Sequence, residues 1–195
     1  MSANTNRFAL SAVAALTVAL HAQAASPTVA AAFTATTANM TPAGLELRIQ
    51  IIAWQDEAAR AEAVAAMAAG ADAPTPLAKL PTVGYIWPSE SPVGYSVKYA
   101  HRAESPAGGE RITLVTDRRL GSYDFKGWSA ASPAPANEAS YSVMELYLNG
   151  SRPGTGNLSL AAEIVLDEQA GAVALKDGER APALLVDVQR EVKAQ

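Results

Sequence analysis

The chain of 195 residues contains no cysteine. This absence excludes disulfide bonds, thiolate metal ligands, cysteine nucleophiles and lipid attachment through a cysteine. Histidine is nearly absent as well, because only His21 and His101 occur, and an ordinary zinc site needs three or four histidine or cysteine ligands. A Gly-x-Ser-x-Gly nucleophile elbow is also missing. We therefore expect neither a metal ion nor a cofactor, and we assign no catalytic residue.

Long apolar runs are missing too. A membrane-spanning helix needs about 20 apolar residues, whereas the longest run in this chain covers the 13 residues 8–20. That run follows a short polar segment with Arg7 and precedes the small residues Ala22 and Ala24. This three-part pattern is typical of a cleavable secretory signal peptide over residues 1–24. We expect a soluble protein without a membrane span that is exported to the periplasm or out of the cell.

The chain has few charges and no basic run. Once residues 1–24 are removed, 14 basic and 19 acidic side chains remain, which gives a formal net charge of −5 with histidine neutral. A weakly acidic chain is a poor partner for nucleic acid or for an anionic lipid surface. The partner classes that remain are an unidentified small molecule and a protein of the cell envelope.

The residues that follow the predicted signal peptide suit one domain with a single core. Residues 25–44 are rich in alanine and threonine and form either an N-terminal arm or a first strand. Residues 45–195 are expected to form a single β-rich domain. Alternation over residues 45–54 predicts a strand, and an alanine-rich helix follows, capped by Asp56 and ended by Gly70.

Alternation with a period of two dominates the rest of the chain and predicts further strands, with a glycine-rich turn over residues 149–156. These strands cover residues 83–87, 93–101, 111–116, 141–148, 158–166, 172–176 and 183–189. In the second of them, one face is expected to hold Val93, Tyr95, Val97, Tyr99 and His101. Because such short turns favour antiparallel neighbours, the predicted fold class is α+β, mainly β.

We expect an antiparallel meander of seven to nine strands, strongly curved or barrel-like, with one alanine-rich helix after an early strand. The helix would then plug or cover one side of the barrel. An open sheet with the helix on one face is the alternative.

Several stretches of the chain resemble a family of exported bacterial proteins. They are FTATTANMTPAGLELRI (33–49), LPTVGYI (80–86), ITLVTDR (112–118), GTGNLSLAAEI (154–164) and LLVDVQRE (184–191). In that family a strand, a helical segment rich in alanine and leucine, and a β-rich remainder follow a signal peptide. The resemblance covers most of the chain after residue 24. It implies export and a β-rich fold, and it carries no activity and no catalytic residues.

All tyrosines and tryptophans lie between residues 54 and 147. These side chains combine an apolar body with a polar group, which suits a pocket for a sugar ring or an apolar ligand. The alternative is an aromatic core that packs the helix on the sheet. The leading hypothesis is a non-catalytic accessory or binding module for a small apolar or carbohydrate ligand. Its predicted ligand-binding residues are Trp87, Tyr95, Tyr99, His101 and Trp128.

Two other functions remain open. Glu145 is the one acidic residue in the middle of its strand, and a carboxyl group in an apolar pocket has a raised pKa and can act as an acid. A hydrolase that uses Glu145 or His101 is therefore one alternative. An envelope protein that contacts a protein partner through an exposed sheet edge is the other.

Overall fold

The computed structural model describes residues 28–39, 44–70, 76–88, 91–105, 108–120, 141–150, 152–159, 164–176 and 183–191. The predicted signal peptide over residues 1–24 and the predicted ligand-binding residue Trp128 lie outside these ranges. Within them the chain forms ten β-strands, one α-helix and one 3-10 turn.

The elements follow one another in a simple order, with the helix placed early. The first two strands are β1 (Ala31–Thr37) and β2 (Glu46–Ile51), followed by the helix α1 (Glu57–Ala69) and a 3-10 turn (Leu77–Lys79). The remaining strands are β3 (Gly84–Pro88), β4 (Tyr95–Glu104), β5 (Glu110–Thr116), β6 (Val143–Leu148), β7 (Gly154–Ser159), β8 (Ile164–Asp167), β9 (Ala172–Leu175) and β10 (Ala183–Arg190).

Eight of these strands close into an antiparallel barrel. The order around the barrel is β1, β2, β3, β4, β5, β6, β7 and β10, and β10 pairs with β1 to complete the circle. The strands β8 and β9 form a separate two-stranded hairpin between β7 and β10 in the chain. The predicted fold class and the barrel-like meander are therefore confirmed, and the sheet takes the closed form instead of the open one.

Residues 31–37 form a strand. For residues 25–44 the sequence predicts either an N-terminal arm or a first strand, and the described part of this segment takes the second form. β1 pairs with β2 on one side and with β10 on the other. Its side chains alternate between buried and partly exposed positions, and Phe33 is fully buried. Without β1 the barrel would have two open edges, so this strand is an essential part of the fold.

The helix α1 begins and ends where the sequence predicts. The Asp56 side chain accepts a hydrogen bond from the backbone N–H of Ala59 at 2.9 Å, which satisfies one of the free donors at the helix start. Gly70 follows the last turn with a φ of 71°, a conformation that glycine adopts at little cost. Small alanines on one face let the helix lie close to the outer wall of the barrel, and Val64 and Met67 supply its larger buried groups.

A β-bulge in β4 separates residues that the alternation places on one face. The pairing of β4 with β5 shifts register between Val97 and Tyr99, which leaves Lys98 as an extra residue. Tyr95 and Val97 belong to the barrel interior, whereas Tyr99 belongs to a second core outside the barrel. The prediction that Tyr95, Tyr99 and His101 share a face is therefore wrong, because the inserted residue reverses the alternation for the rest of the strand.

The predicted strand over residues 158–166 is also wrong, and the glycine-rich turn before it begins at Asn149 as predicted but ends earlier than Gly156. β7 begins inside the glycine-rich segment and ends at Ser159, and β8 starts at Ile164. A Cβ atom added at Gly156 would lie 2.5 Å from the carbonyl oxygen of Glu145 in β6. Glycine here allows the close approach of two strands, and the same residue type elsewhere marks a turn.

Two apolar cores result from this arrangement. The first fills the barrel interior, with fully buried side chains from every part of its wall: Phe33, Leu47, Ile49, Ile51, Ile86, Val97, Ile112, Leu114, Met144, Leu146 and Leu158. The second lies outside the barrel, where α1 and the β8–β9 hairpin cover the outer face of β4, β5 and β6. Its main members are Ala63, Val64, Met67, Leu77, Tyr99, Val115, Val143 and Val173.

Candidate functional site

Trp87 lies on the outer face of the barrel, away from both cores. Its indole packs closely on Gly94, where an added Cβ atom would come within 3.0 Å of the indole Nε1. The guanidinium carbon of Arg48 lies 5.5 Å from the centre of the indole ring, and the ring centre of Tyr85 lies 5.8 Å away. Trp87 is therefore part of a small aromatic cluster on the barrel wall.

The two predicted tyrosines occupy different cores. Tyr95 is 3% exposed and packs inside the barrel. Tyr99 is fully buried outside it, and its hydroxyl donates a hydrogen bond to the carbonyl oxygen of Gly171 at 3.1 Å. His101 stands beside Tyr99, with the ring centres 6.3 Å apart and the planes nearly perpendicular. The four described candidates thus occupy three separate environments.

His101 belongs to a row of polar residues on the outer face of the barrel. By cross-strand pairing, Thr113 is its neighbour on β5, and Glu145 and Asn157 continue the row on β6 and β7. Burial lowers the pKa of His101, and the positive charges of Arg60 and Arg111 lower it further. The imidazole is therefore held in its neutral form near pH 7.

Glu145 is a buried carboxylate with two partners from the protein. It is 4% exposed, and it accepts a hydrogen bond at 2.6 Å from the Tyr147 hydroxyl and one at 3.3 Å from the backbone N–H of Leu175 in β9. Burial, together with the hydrogen bond to Glu145 and its charge, raises the pKa of Tyr147 to about 12. The carboxylate therefore joins the β8–β9 hairpin to the barrel wall.

The two groups of the hydrolase alternative stand on either side of β5. Since neighbouring strands lie about 4.8 Å apart, two strand spacings separate the backbones of His101 and Glu145 by about 10 Å. Thr113 lies between them, and both oxygens of Glu145 already accept hydrogen bonds. This arrangement suits a structural carboxylate better than the acid of an acid–base pair.

A different set of residues forms an open end of the barrel, where β1, β3, β5 and β7 begin. Alternation continues the inward-facing rows of β5, β6 and β10 to Glu110, Leu148 and Arg190. The Arg190 guanidinium donates to a carboxylate oxygen of Glu110 at 2.6 Å and lies 5.2 Å above the centre of the Phe33 ring. Both charged side chains keep a third or more of their surface exposed. They are therefore held in place and still accessible to a ligand.

A second arginine rests on an aromatic ring at the same end. The guanidinium carbon of Arg102, near the end of β4, lies 5.4 Å from the centre of the Trp54 ring. Trp54 follows β2 and packs against the interior core. A guanidinium over an aromatic face is attracted by the ring and keeps its N–H donors directed to solvent.

A cleft of about 570 Å³ opens beside the Arg190–Glu110 pair. The floor includes the apolar side chains of Leu148 and Val188, and the rim carries Arg152 and Gln189 in addition to the ion pair. Ligand sites commonly have volumes of roughly 300 to 1,000 Å³ and combine an apolar floor with a few fixed polar groups. The cleft is open to solvent, its volume lies in this range, and its lining contains both apolar and charged groups.

Glu110 and Arg190 are not among the residues predicted from the sequence. The predicted strands over 111–116 and 183–189 stop one residue short of each of them. Extending the alternation by one position would have placed both on the interior face, where a charged residue at a strand end points to an accessible barrel mouth.

At the opposite end, Leu120 turns into the interior core and its backbone N–H donates to the Ser142 hydroxyl at 3.0 Å.

The described residues contain no group of three histidine, cysteine, aspartate or glutamate side chains placed to hold a metal ion. In the same part of the chain, no helix has the length and apolar character that a membrane crossing requires. Comparisons with protein-family models, with curated proteins and with solved structures find no match. The resemblance to the exported family therefore stays a prediction.

Proposed function

We propose that this protein is an exported, non-catalytic binding module that holds a small carbohydrate at the open end of its barrel. Support for export comes from the three-part pattern of residues 1–24, which is typical of a signal peptide. Support for binding comes from one observation, the cleft of about 570 Å³ beside the Arg190–Glu110 pair. Closed barrels often bind ligands at their mouths.

The chemistry of the cleft favours a sugar over a fully apolar ligand. Sugar hydroxyls both donate and accept hydrogen bonds, and the rim offers donors on Arg190 and Arg152 and an acceptor on Glu110. An apolar face of a sugar ring can pack on the partly exposed Leu148 side chain in the lining of the cleft. An apolar ligand would need space among the interior side chains, and these are close together and fully buried along the barrel.

The ion pair fixes the binding groups before a ligand arrives. Arg190 is held from below by the Phe33 ring and from the side by Glu110, so little side-chain entropy remains to be lost on binding. The pair itself is partly exposed, and such pairs contribute only about 0–1 kcal/mol to stability. Substitutions at these two positions should therefore change binding much more than folding.

An oligosaccharide array tests this proposal directly. Labelled protein is applied to neutral and uronic-acid oligosaccharides, and bound glycans are confirmed by calorimetric titration. We expect Arg190→Gln and Glu110→Gln each to weaken binding at least tenfold, about 1.4 kcal/mol. Arg48→Gln is the matched control, because Arg48 is an exposed arginine stacked on an aromatic ring away from the cleft. Equal binding by all four proteins, or no binding by any, would contradict the proposal.

A further inference from the structure

The strand β10 contains one residue more than its neighbours accommodate, and the pairing on both sides identifies it. Against β1, the two residues Asp187 and Val188 lie opposite a single residue. Against β7, the two residues Val186 and Asp187 lie opposite a single residue. Asp187 is common to both intervals, so it is the inserted residue of a β-bulge.

The backbone of Asp187 is left-handed, as it is in one common type of β-bulge. Its φ is 51°, and among the described residues no other position outside glycine has a positive φ. Glycine accepts this left-handed region readily, aspartate and asparagine accept it at some cost, and β-branched residues rarely adopt it. The Asp187 side chain is exposed, so the packing of its neighbours holds the backbone in this form.

The bulge decides which side chains of β10 face the barrel interior. Counted from Leu185, the regular alternation of a strand would place Val188 and Arg190 outside. However, Leu185 and Val188 are each 1% exposed and both belong to the interior core. Arg190 follows Val188 by two positions and lies opposite Phe33 of the same core. The insertion of Asp187 therefore turns Arg190 inward.

An inward direction is necessary for both contacts that fix Arg190. Its guanidinium lies 5.2 Å from the centre of the Phe33 ring and donates to a Glu110 carboxylate oxygen at 2.6 Å. Glu110 belongs to β5, and β6 and β7 separate β5 from β10 around the barrel. The ion pair therefore crosses the mouth of the barrel, and the barrel wall would stand between the two groups if Arg190 pointed outward.

We propose that Asp187 is a positioning residue of the cleft at the open end, because its left-handed backbone turns Arg190 into the barrel mouth. β-Bulges are common beside functional sites, where they redirect a side chain. The direction of Arg190 is independent of any ligand, whereas the consequence for binding rests on the carbohydrate function proposed above. Position 187 should therefore require a residue that accepts a positive φ, whatever its charge.

The side-chain NMR signals of Arg190 test this positioning without a ligand. Protons above an aromatic ring resonate at lower frequency, so the Arg190 side-chain protons should be shifted by Phe33, and Arg190→Gln assigns them by their loss. Asp187→Gly and Asp187→Asn should keep the shift, because both residue types accept a positive φ. Asp187→Val should lose most of it, because a β-branched residue opposes the left-handed conformation.

Two control variants separate positioning from general effects of substitution. Leu184→Val places the same β-branched residue at a regular, exposed position of β10, and Val173→Ala removes buried methyl groups from the outer core. The first controls for valine in this strand and the second for a loss of stability, so both should keep the Arg190 signals of the wild type. If Asp187→Val does not fold, Asp187→Ala replaces it, since alanine also resists a positive φ but does so less strongly.

The same variants then extend the test to the ligand. With an oligosaccharide that the wild type binds, Asp187→Val should weaken binding about tenfold through the lost preorganisation of Arg190, and Asp187→Gly should bind as the wild type does. The positioning role is overturned if Asp187→Val keeps the wild-type Arg190 signals, or if Asp187→Gly loses them. If these signals change as expected but no oligosaccharide binds, the carbohydrate function is wrong and the positioning role stands.

Discussion

The two apolar cores of this molecule differ in how they are held together. The barrel interior consists almost entirely of apolar side chains from all eight strands. The outer core, beneath α1 and the β8–β9 hairpin, has buried polar groups that bond to segments outside the barrel strands. Tyr99 donates to Gly171, Glu145 accepts from Leu175, and the Lys98 ammonium donates to the Leu80 carbonyl at 2.7 Å and the Thr82 hydroxyl at 2.9 Å.

This difference predicts two levels of stability. Apolar contacts inside a closed barrel link every strand to its neighbours, so they are lost only when the whole barrel unfolds. The outer layer, which consists of α1 and the β8–β9 hairpin, is attached through a few hydrogen bonds and a smaller apolar surface. We expect it to open while the barrel stays intact.

The largest effect is expected inside the barrel. Phe33→Ala removes a fully buried ring from the interior and should lower the free energy of unfolding by about 3–5 kcal/mol. Leu184→Ala is the control, because Leu184 lies on the outer face of β10 and is 45% exposed, and it should change stability by less than about 0.5 kcal/mol. Urea denaturation measures both. Similar midpoints for the two variants would contradict the assignment of the interior as the main core.

A smaller and local effect is expected in the outer layer. Tyr99→Phe removes the hydroxyl that donates to Gly171, and it should cost about 0.5–1.5 kcal/mol. Hydrogen exchange should accelerate at the amides of β8 and β9 and stay unchanged in β1, β2 and β3. Uniform acceleration over all strands would mean that the two layers unfold as one unit.

The smallest effect concerns pH. The pKa of His101 is lowered by burial and by Arg60 and Arg111, so on acidification the unfolded chain takes up a proton at this position before the folded protein does. The free energy of unfolding should therefore fall as the pH drops from the ordinary value of 6.5 through the lowered pKa of His101. The His101→Gln variant should not show this part of the fall in the free energy of unfolding. If the free energies of unfolding of the two proteins run parallel between pH 7 and pH 5, His101 makes no such contribution.

The period-two pattern predicts a strongly curved or barrel-like meander, with an open sheet as the alternative, and local capping signals predict the helix. Alternating apolar residues define most strands, and Asp56 and Gly70 mark the ends of α1 through local hydrogen bonding and backbone conformation. Such signals are contained within a few residues of sequence. They can therefore be recognised in the sequence without knowledge of the tertiary contacts.

The bulge in β4 and the early start of β7 could not be predicted in the same way. One extra residue at Lys98 reverses the faces of Tyr99 and His101, and nothing in the local sequence distinguishes it from a regular strand position. Gly156 has the sequence signature of a turn, but its role is set by the close approach of β6. Both features depend on neighbouring strands, as does the meeting of Glu110 with Arg190 from distant parts of the chain.

Native mass spectrometry is the direct test of whether the open end of the barrel holds a small carbohydrate. The protein would be purified gently from its own host, beside Arg190→Gln and the control Arg48→Gln. We predict a discrete additional mass, with a fragmentation pattern typical of a saccharide, on the wild type and the control but not on Arg190→Gln. A bare monomer mass for all three proteins, or an added mass that Arg190→Gln retains, would contradict the proposed site.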